Sequence, residues 1–224
     1  MLNFYIITIF PDMFQSYFNY SIIKRAQEEN KIKIHIINLR DYAADKRGTI
    51  DDTPYGGGAG MVMKVEPIFK AVREIKKQIK DQKKIKTILF SAKGKTYVQQ
   101  KAVQLTQYKH IILICGRYEG VDERVAHYIA DEEISLGDYV LTGGEIPAMA
   151  LVDSTTRLLA GVLGNSDSLK EESFSSSVGK KKYLEYPQYT KPNNFKGWKV
   201  PEVLLSGDHK AILSWRQKNK KIKK

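Results

Sequence analysis

"LGDYVLTGGEIPAM", residues 136–149, is the stretch on which the fold turns. It reads as a strand at Tyr139, Val140 and Leu141, breaks at Gly143 and Gly144, and restarts as a helix at Glu145. Two adjacent glycines remove β-carbons and admit positive φ, so either the turn is sharp or something lies against bare backbone. Pro147 falls in the first turn of the helix, where proline fits without help from a ligand.

The same order of strand, glycine loop and helix recurs upstream. "SAKGKT" (91–96) follows a strand at Lys86–Phe90, and "GRYEG" (116–120) follows a strand at His110–Cys115. The apolar pattern further predicts strands at Asn3–Phe10 and Ile32–Leu39, and helices at Glu66–Lys80, Tyr97–Tyr108, Val121–Ala130 and Glu145–Leu159. Pro11 opens another helical segment, carrying Phe14, Phe18 and Ile22. Such alternation predicts an α/β fold with a mostly parallel sheet covered by helices. In an open sheet of this kind, three glycine loops leaving the carboxyl ends of strands converge on one ligand crevice.

From Gly164 the texture changes to "GNSDSLKEESFSSSVGKKK", polar and serine-rich with no apolar period. The expected division is a first domain over 1–163, a mobile linker over 164–182 and a small α-helical domain over 183–224. In the last of these, Ser206 or Asp208 caps a helix carrying Ile212, Leu213 and Trp215.

Composition bounds the function. A chain of 224 residues, 42% hydrophobic and 28% charged, supports one substantial core and a smaller appendage. Its apolar runs, such as Phe4–Phe10, fall far short of the ~20 residues of a membrane span, and no basic segment before them marks a signal peptide. The single cysteine, Cys115, excludes an internal disulfide, and the four histidines form no metal-binding spacing with it. A reducing cytoplasm is the simplest setting. Within "HIILICG" Cys115 reads as a small core residue rather than a nucleophile. The net charge of +12 gathers in 76–86, 179–183 and 216–224, which points to a nucleic acid partner or to solvated lysine-rich faces.

Nucleotide fingerprints fail. "GGGAG" (56–60) is followed by Met61 and lies in a long loop, and "GKT" (94–96) would need a glycine where Leu89 stands. What remains is a pocket of main-chain amides and carbonyls near Tyr118, Glu119, Tyr139 and Leu141, suited to an adenine.

"PYGGGAGMVMK", "CGRYEGVDERV", "SLGDYVLTGGEIPAM", "GVLGNSDSLKEESF", "YPQYTKP" and "VPEVLLSGDH", in this order, resemble the bacterial tRNA (guanine-37 N1)-methyltransferase family of trefoil-knot (SPOUT) enzymes. The resemblance runs from residue 1 to about Arg216. It implies that 91–96, 116–120 and 136–144 form a deep knot holding S-adenosylmethionine. Ser91, Ala92 and Gly94 would bind the cofactor from the first loop, and Gly116, Tyr118 and Glu119 from the second. From the third come Leu136, Gly137, Asp138, Tyr139, Val140 and Leu141, then Gly143, Gly144 and Pro147. It also implies methylation of guanosine 37 after G36 in tRNA, read at the anticodon stem-loop, by a homodimer whose active site lies between subunits. Magnesium (Mg2+) participates at family level, although no dedicated metal site is legible in these residues.

Guanine N1 carries a proton at neutral pH, so methylation there calls for a base and for stabilisation of charge growing on O6. The resemblance assigns O6 to Arg157 and the base to Glu172, where the family usually has Asp. Glu171 is an adjacent alternative, and Glu119 and Glu185 are further acids at implied site positions. Ala92 replaces a common proline, the 164–182 connection is a few residues longer than usual, and the module after Trp215 is shorter, with the basic tail supplying charge. Two other readings compete. One is a knotted methyltransferase acting on ribose or another base, against which "YPQYTKP" and "VPEVLLSGDH" argue. The other is an RNA-binding protein without catalysis, motivated by Glu172.

Overall fold

Isoleucine and leucine fill the segment His110–Ile114 without polar alternation, and Ile111 to Ile114 are completely buried. A strand apolar on both faces needs cover on both, which places it at the middle of a sheet. The computed structural model describes residues 1–164, 172–174, 177–178 and 181–223. Most of the expected linker over 164–182, Glu171 included, lies outside the described residues.

The chain divides into two units, Met1–Gly164 and Asn165–Lys224. In order, the first carries β1 (Leu2–Thr8), α1 (Gln15–Phe18), α2 (Ser21–Glu28), β2 (Ile32–Asn38), the short strands β3 (Asp51–Asp52) and β4 (Val62–Met63), and α3 (Val65–Gln78). It continues with β5 (Ile85–Thr96), α4 (Gln99–Leu105), β6 (His110–Ile114), α5 (Arg124–Tyr128), β7 (Glu132–Ser135) and α6 (Glu145–Thr156). The main sheet has the order β2-β1-β6-β5-β7 and is parallel throughout. This is the expected α/β architecture.

Alternate strand residues face opposite sides. Phe4, Ile6, Ile88, Ile111 and Leu113 pack against Ile23 of α2 and Leu151 and Val152 of α6. Ile7, Leu89, Ile112 and Ile114 pack against Ile68, Val72 and Ile75 of α3 and Val125 of α5. Each such side chain contributes about 1.5–3 kcal/mol on burial, so the two cores hold the sheet rigid beneath its loop edge.

One expected strand does not form. Residues 136–144 are irregular chain, and Tyr139 and Val140 are 55% and 87% exposed, so the apolar run at Tyr139–Leu141 is not a ladder strand. The strand in that place is β7, whose sequence EEIS hides it. β7 pairs only with β5, at the sheet edge, where Glu132 is held by Lys86 (3.6 Å) and Lys101 (2.9 Å). β5 also runs past the expected end at Phe90. Ile134 partners both Phe90 and Lys95, so 91–94 swing out and return to the same ladder.

In the second unit, β8 (Ser177–Val178), β9 (Lys181–Leu184) and, at the far end of the chain, β12 (Lys221–Lys223) form an antiparallel sheet. β10 (Asn194–Phe195) and β11 (Trp198–Lys199) form a hairpin, and α7 (His209–Asn219) is the expected helix. Asp208 is its cap, accepting from the amides of Lys210 (2.9 Å) and Ala211 (3.1 Å). The strands accompanying α7 were not expected, because segments of two to four residues carry no readable alternation. Among the described residues no helix is long and apolar enough to cross a membrane.

Candidate active site

All three glycine loops close on one cavity of about 270 Å3 at the carboxyl edge of β5, β6 and β7. Ser91 and Ala92 line it from the first loop, and Gly116, Tyr118 and Glu119 from the second. The third contributes Leu136, Tyr139, Val140 and Leu141, followed by Gly143, Gly144 and Pro147. The exposed apolar residues that resembled a strand are therefore cavity wall. Gly94, Gly137 and Asp138 are not among the lining residues.

Backbone packs on backbone behind the cavity. A β-carbon on Gly144 would stand 2.6 Å from the Cys115 α-carbon and 3.1 Å from the Gly116 nitrogen. The Gly144 amide donates to the Gly116 carbonyl at 3.0 Å, tying the third loop onto the second. Gly94 meets a similar limit, since its β-carbon would stand 2.5 Å from the Ile134 nitrogen. Gly94 thus serves the return of β5 across β7. The paired glycines at 143–144 are answered the same way: Gly144 lies on the β6 exit, and a β-carbon on Gly143 would collide with the Arg117 side chain.

A buried charge pair locks these layers. Glu145, 1% exposed in the first turn of α6, accepts from Thr8 Oγ1 at 2.8 Å and from Arg117 Nε at 2.9 Å. The Arg117 guanidinium also lies over the Phe10 ring, 4.7 Å from its centroid. Three segments, the ends of β1 and β6 and the start of α6, meet at one carboxylate. Sequence reading missed Glu145 and Arg117 as a pair, although an acid at a helix start beside two glycines is a signal for it.

The second loop is strained toward the cavity. The Gly120 amide donates to the Arg117 carbonyl at 3.0 Å, and Tyr118 sits inside that turn with φ +61, a left-handed conformation uncommon for a large side chain. On the rim, Lys93 Nζ and Glu123 Oε2 pair at 2.7 Å, which raises the Lys93 pKa and lowers that of Glu123. Burial, and secondarily the Glu145 carboxylate, pushes the Cys115 thiol well up, with Arg117 opposing. Such a thiol is core packing rather than a nucleophile.

The remaining expected residues are not among those lining the cavity. Arg157 is the C-cap of α6, a full helix beyond Gly144 at its N-cap and not among the lining residues. Thirteen residues at 1.5 Å each separate the two caps by roughly 20 Å. Glu172 is half-buried and Glu185 exposed, both in the second unit, where the Glu185 amide donates to Ser173 Oγ at 3.1 Å. Among the described residues no group of three or more His, Cys, Asp or Glu side chains is placed to hold a metal ion.

The lining suits a ligand with a flat heterocycle and a cationic end. Residues 91–92, 116–120 and 141–144 share the wall with the apolar Ile134, Leu136 and Pro147, and Glu119 and Glu133 are acids among them.

The sequence matches the family model described as tRNA (Guanine-1)-methyltransferase TrmD over residues 2–224. It is 56% identical over 218 residues to a tRNA (guanine-N(1)-)-methyltransferase of Dictyoglomus turgidum, covering 97% of this chain and 84% of that protein. A protein of the same description from Staphylococcus aureus is 49% identical over 217 residues, covering 97% and 85%. The fold is similar to a crystal structure of tRNA (m1G37) methyltransferase from Aquifex aeolicus, with TM-score 0.78 and 41% identity over 96% of this chain and 87% of that one.

Proposed function

The chain belongs to the tRNA (guanine-1)-methyltransferase family, and from that premise we propose that it transfers a methyl group from S-adenosylmethionine to N1 of guanosine 37 in tRNAs bearing G36-G37. The observation that carries this reading is the convergence of three separate glycine loops on one cavity at the strand ends. The donor set fits the cofactor: peptide groups and apolar walls for an adenine, carboxylates at Glu119 and Glu133 for a cationic end. When bound, the cofactor supplies an electrophilic methyl group on a sulfonium.

The protein's own part is to position and to move a proton. Glu172 takes the proton from guanine N1, and Arg157 donates to O6 as charge gathers there, help of a kind worth ~10²–10⁴-fold. Glutamate in place of aspartate keeps the carboxylate and lengthens its reach by one methylene. Glu119, already in the cavity wall, faces the cofactor, and Glu185 is a second acid on the C-terminal module.

The distance along α6 supports a site shared between two copies. Arg157 ends a helix whose start lines the cavity, farther than one side chain spans, so the reading assigns it to the cavity of a partner in a homodimer. Apolar side chains circle α6, and Ile146 on it, with Phe10 and Met13 in the segment after β1, remains exposed as interface would be. The close backbone approach of Gly94 to Ile134 and of Gly144 to Cys115 supports a trefoil knot over 91–144. The cytoplasm is the setting in which such an enzyme meets tRNA. The domain roles follow: knotted cofactor domain over 1–163, linker over 164–182, tRNA-binding domain over 183–224.

The test is to incubate the protein with labelled S-adenosylmethionine and unmodified tRNA bearing G36-G37, then identify the product nucleoside by mass spectrometry. N1-methylguanosine at position 37 is expected. Methylation at another atom or position, or binding of both ligands without transfer, refutes it.

A further inference from the structure

The glycine-rich stretch 56–60 matches no nucleotide fingerprint, and none of the chemistry proposed above uses it. In the structure it lies within the loop joining β3 to β4, which pair through Asp51 with Met63 and Asp52 with Val62. Lys64 clamps the base of this arm to Asp52 at 3.1 Å.

The arm is rooted in the cavity wall. The Glu119 amide donates to the Met61 carbonyl at 3.0 Å, the Met63 amide to the Gly120 carbonyl at 3.0 Å, and the Asp122 amide to the Met63 carbonyl at 2.9 Å. Gly60 lies directly on the Glu119 side chain, since a β-carbon there would stand 2.6 Å from Glu119 Cγ. The return side of the arm, residues 60–63, is thus fixed to the loop that lines the cavity.

At the tip, the Gly57 amide donates to the Pro54 carbonyl at 3.2 Å, and Gly56 has φ +85, which makes Pro54–Gly57 a type II turn. Tyr55 occupies its corner and is fully exposed. Nothing lies within 4 Å of where β-carbons of Gly56 and Gly57 would stand. The nine residues 53–61 carry no acidic side chain, the acids of the arm being Asp51 and Asp52 at its base. A lone exposed tyrosine on a turn is ordinary. One that projects from an arm fixed to a cavity wall and is flanked by bare peptide is a surface open to something flat.

We propose that Tyr55 is a stacking platform for the nucleobase that flanks the methylated guanine. This rests on reading the cavity as the methyl-transfer site for RNA. To reach a cavity at the strand ends, a guanine must leave its stack, and its neighbour then lacks a partner on one face. An aromatic ring replaces that partner for any base, since every base has a π-face. The glycines leave room for the sugar-phosphate chain to lie against the arm. Tyr55 acts on substrate binding rather than on the transfer step.

Steady-state methylation tests this with wild-type protein, Tyr55→Ala and Tyr55→Phe, on intact tRNA and on tRNAs made abasic at position 36 or 38. Loss of the ring should raise KM for intact tRNA roughly 10- to 100-fold. The turnover number should stay within about twofold, and cofactor affinity by calorimetry should not move. Tyr55→Phe should restore KM, because stacking needs the ring and not the hydroxyl. One abasic substitution should raise the wild-type KM by a comparable factor and add little in Tyr55→Ala. An unchanged KM in Tyr55→Ala, or a full additive penalty at both abasic positions, overturns the proposal. So does weakened cofactor binding, which would show that the arm only props the wall. If wild-type protein fails to methylate intact tRNA, the reading of the cavity falls, and this inference falls with it.

Discussion

Replacing Gly144 with alanine adds one carbon where there is no room. That carbon would stand 2.6 Å from the Cys115 α-carbon, 3.1 Å from its β-carbon and 3.1 Å from the Gly116 nitrogen. Ordinary carbon contacts begin near ~3.5 Å, so the third loop must retreat from the second by about 1 Å. Gly144 has φ −84, so the change brings no backbone strain and the effect is steric alone. Forcing a methyl group into a packed interior costs about 1–3 kcal/mol. At about 2–4 °C per kcal/mol for a domain of this size, Tm should fall by roughly 2–12 °C. The retreat also carries Gly143, Thr142 and Leu141 out of the cavity wall, and a misplacement of about 1 Å can cost ~10²-fold in turnover. Thermal denaturation gives the first effect, and calorimetry with S-adenosylmethionine plus tRNA methylation gives the second. Gly164→Ala is the control, with no described residue within 4 Å of the added carbon, and should stay within about ±0.5 kcal/mol. A Gly144→Ala protein with unaltered Tm, cofactor affinity and turnover would refute the close-approach argument.

Arg157→Ala and Glu172→Gln should each nearly abolish methylation while leaving cofactor affinity close to normal, and Glu172→Asp should remain active; a large loss of cofactor binding in Arg157→Ala would remove its assignment to O6. Glu145→Ala leaves the Arg117 guanidinium without its buried partner and should cost about 3–5 kcal/mol in urea denaturation, so a cost under about 1 kcal/mol would show that the pair is not a lock. His35, stacked on Tyr5 at 4.6 Å with its Nε2 buried and unpartnered, has its pKa lowered from 6.5 by burial, then by Lys33 and His110. The unfolded chain binds a proton that the folded one resists, so this contribution to stability is whole above pH 6.5 and declines as the pH falls below it. Tm measured from pH 8 to pH 5 should fall more steeply for wild type than for His35→Phe, and parallel curves would contradict the sign.

Most of the sheet was legible because its strands obey simple patterns. β6 is apolar from Ile111 to Ile114 and central, and α3 carries its apolar residues on one side. The errors share a physical cause. Tyr139–Leu141 is apolar because it lines a cavity, and β7 opens with two glutamates because it is an edge strand whose Glu132 is paired with lysines. Local pattern cannot tell a cavity wall from a ladder, or a paired acid from a solvated one. The loops that line the cavity were visible as glycines at strand ends. The bond from Glu145 to Thr8 joins residues 137 positions apart, and no spacing rule reaches so far. Arg157 and Glu172 were found only through kinship, since each alone is an unexceptional charged residue.

The lone thiol beneath Gly144 makes the chain its own clock. Cys115 is buried among the layered loops with its thiol held protonated, so a thiol reagent in solution meets nothing to attack. Alkylation can proceed only through moments when the crossing segments part or the domain unfolds, and its rate therefore counts those moments. Because the same segments wall the cavity, a ligand seated there must slow the count. One unlabelled side chain thereby reports, without mutation or dye, how often this stack of backbones breathes and how firmly an occupant holds it shut.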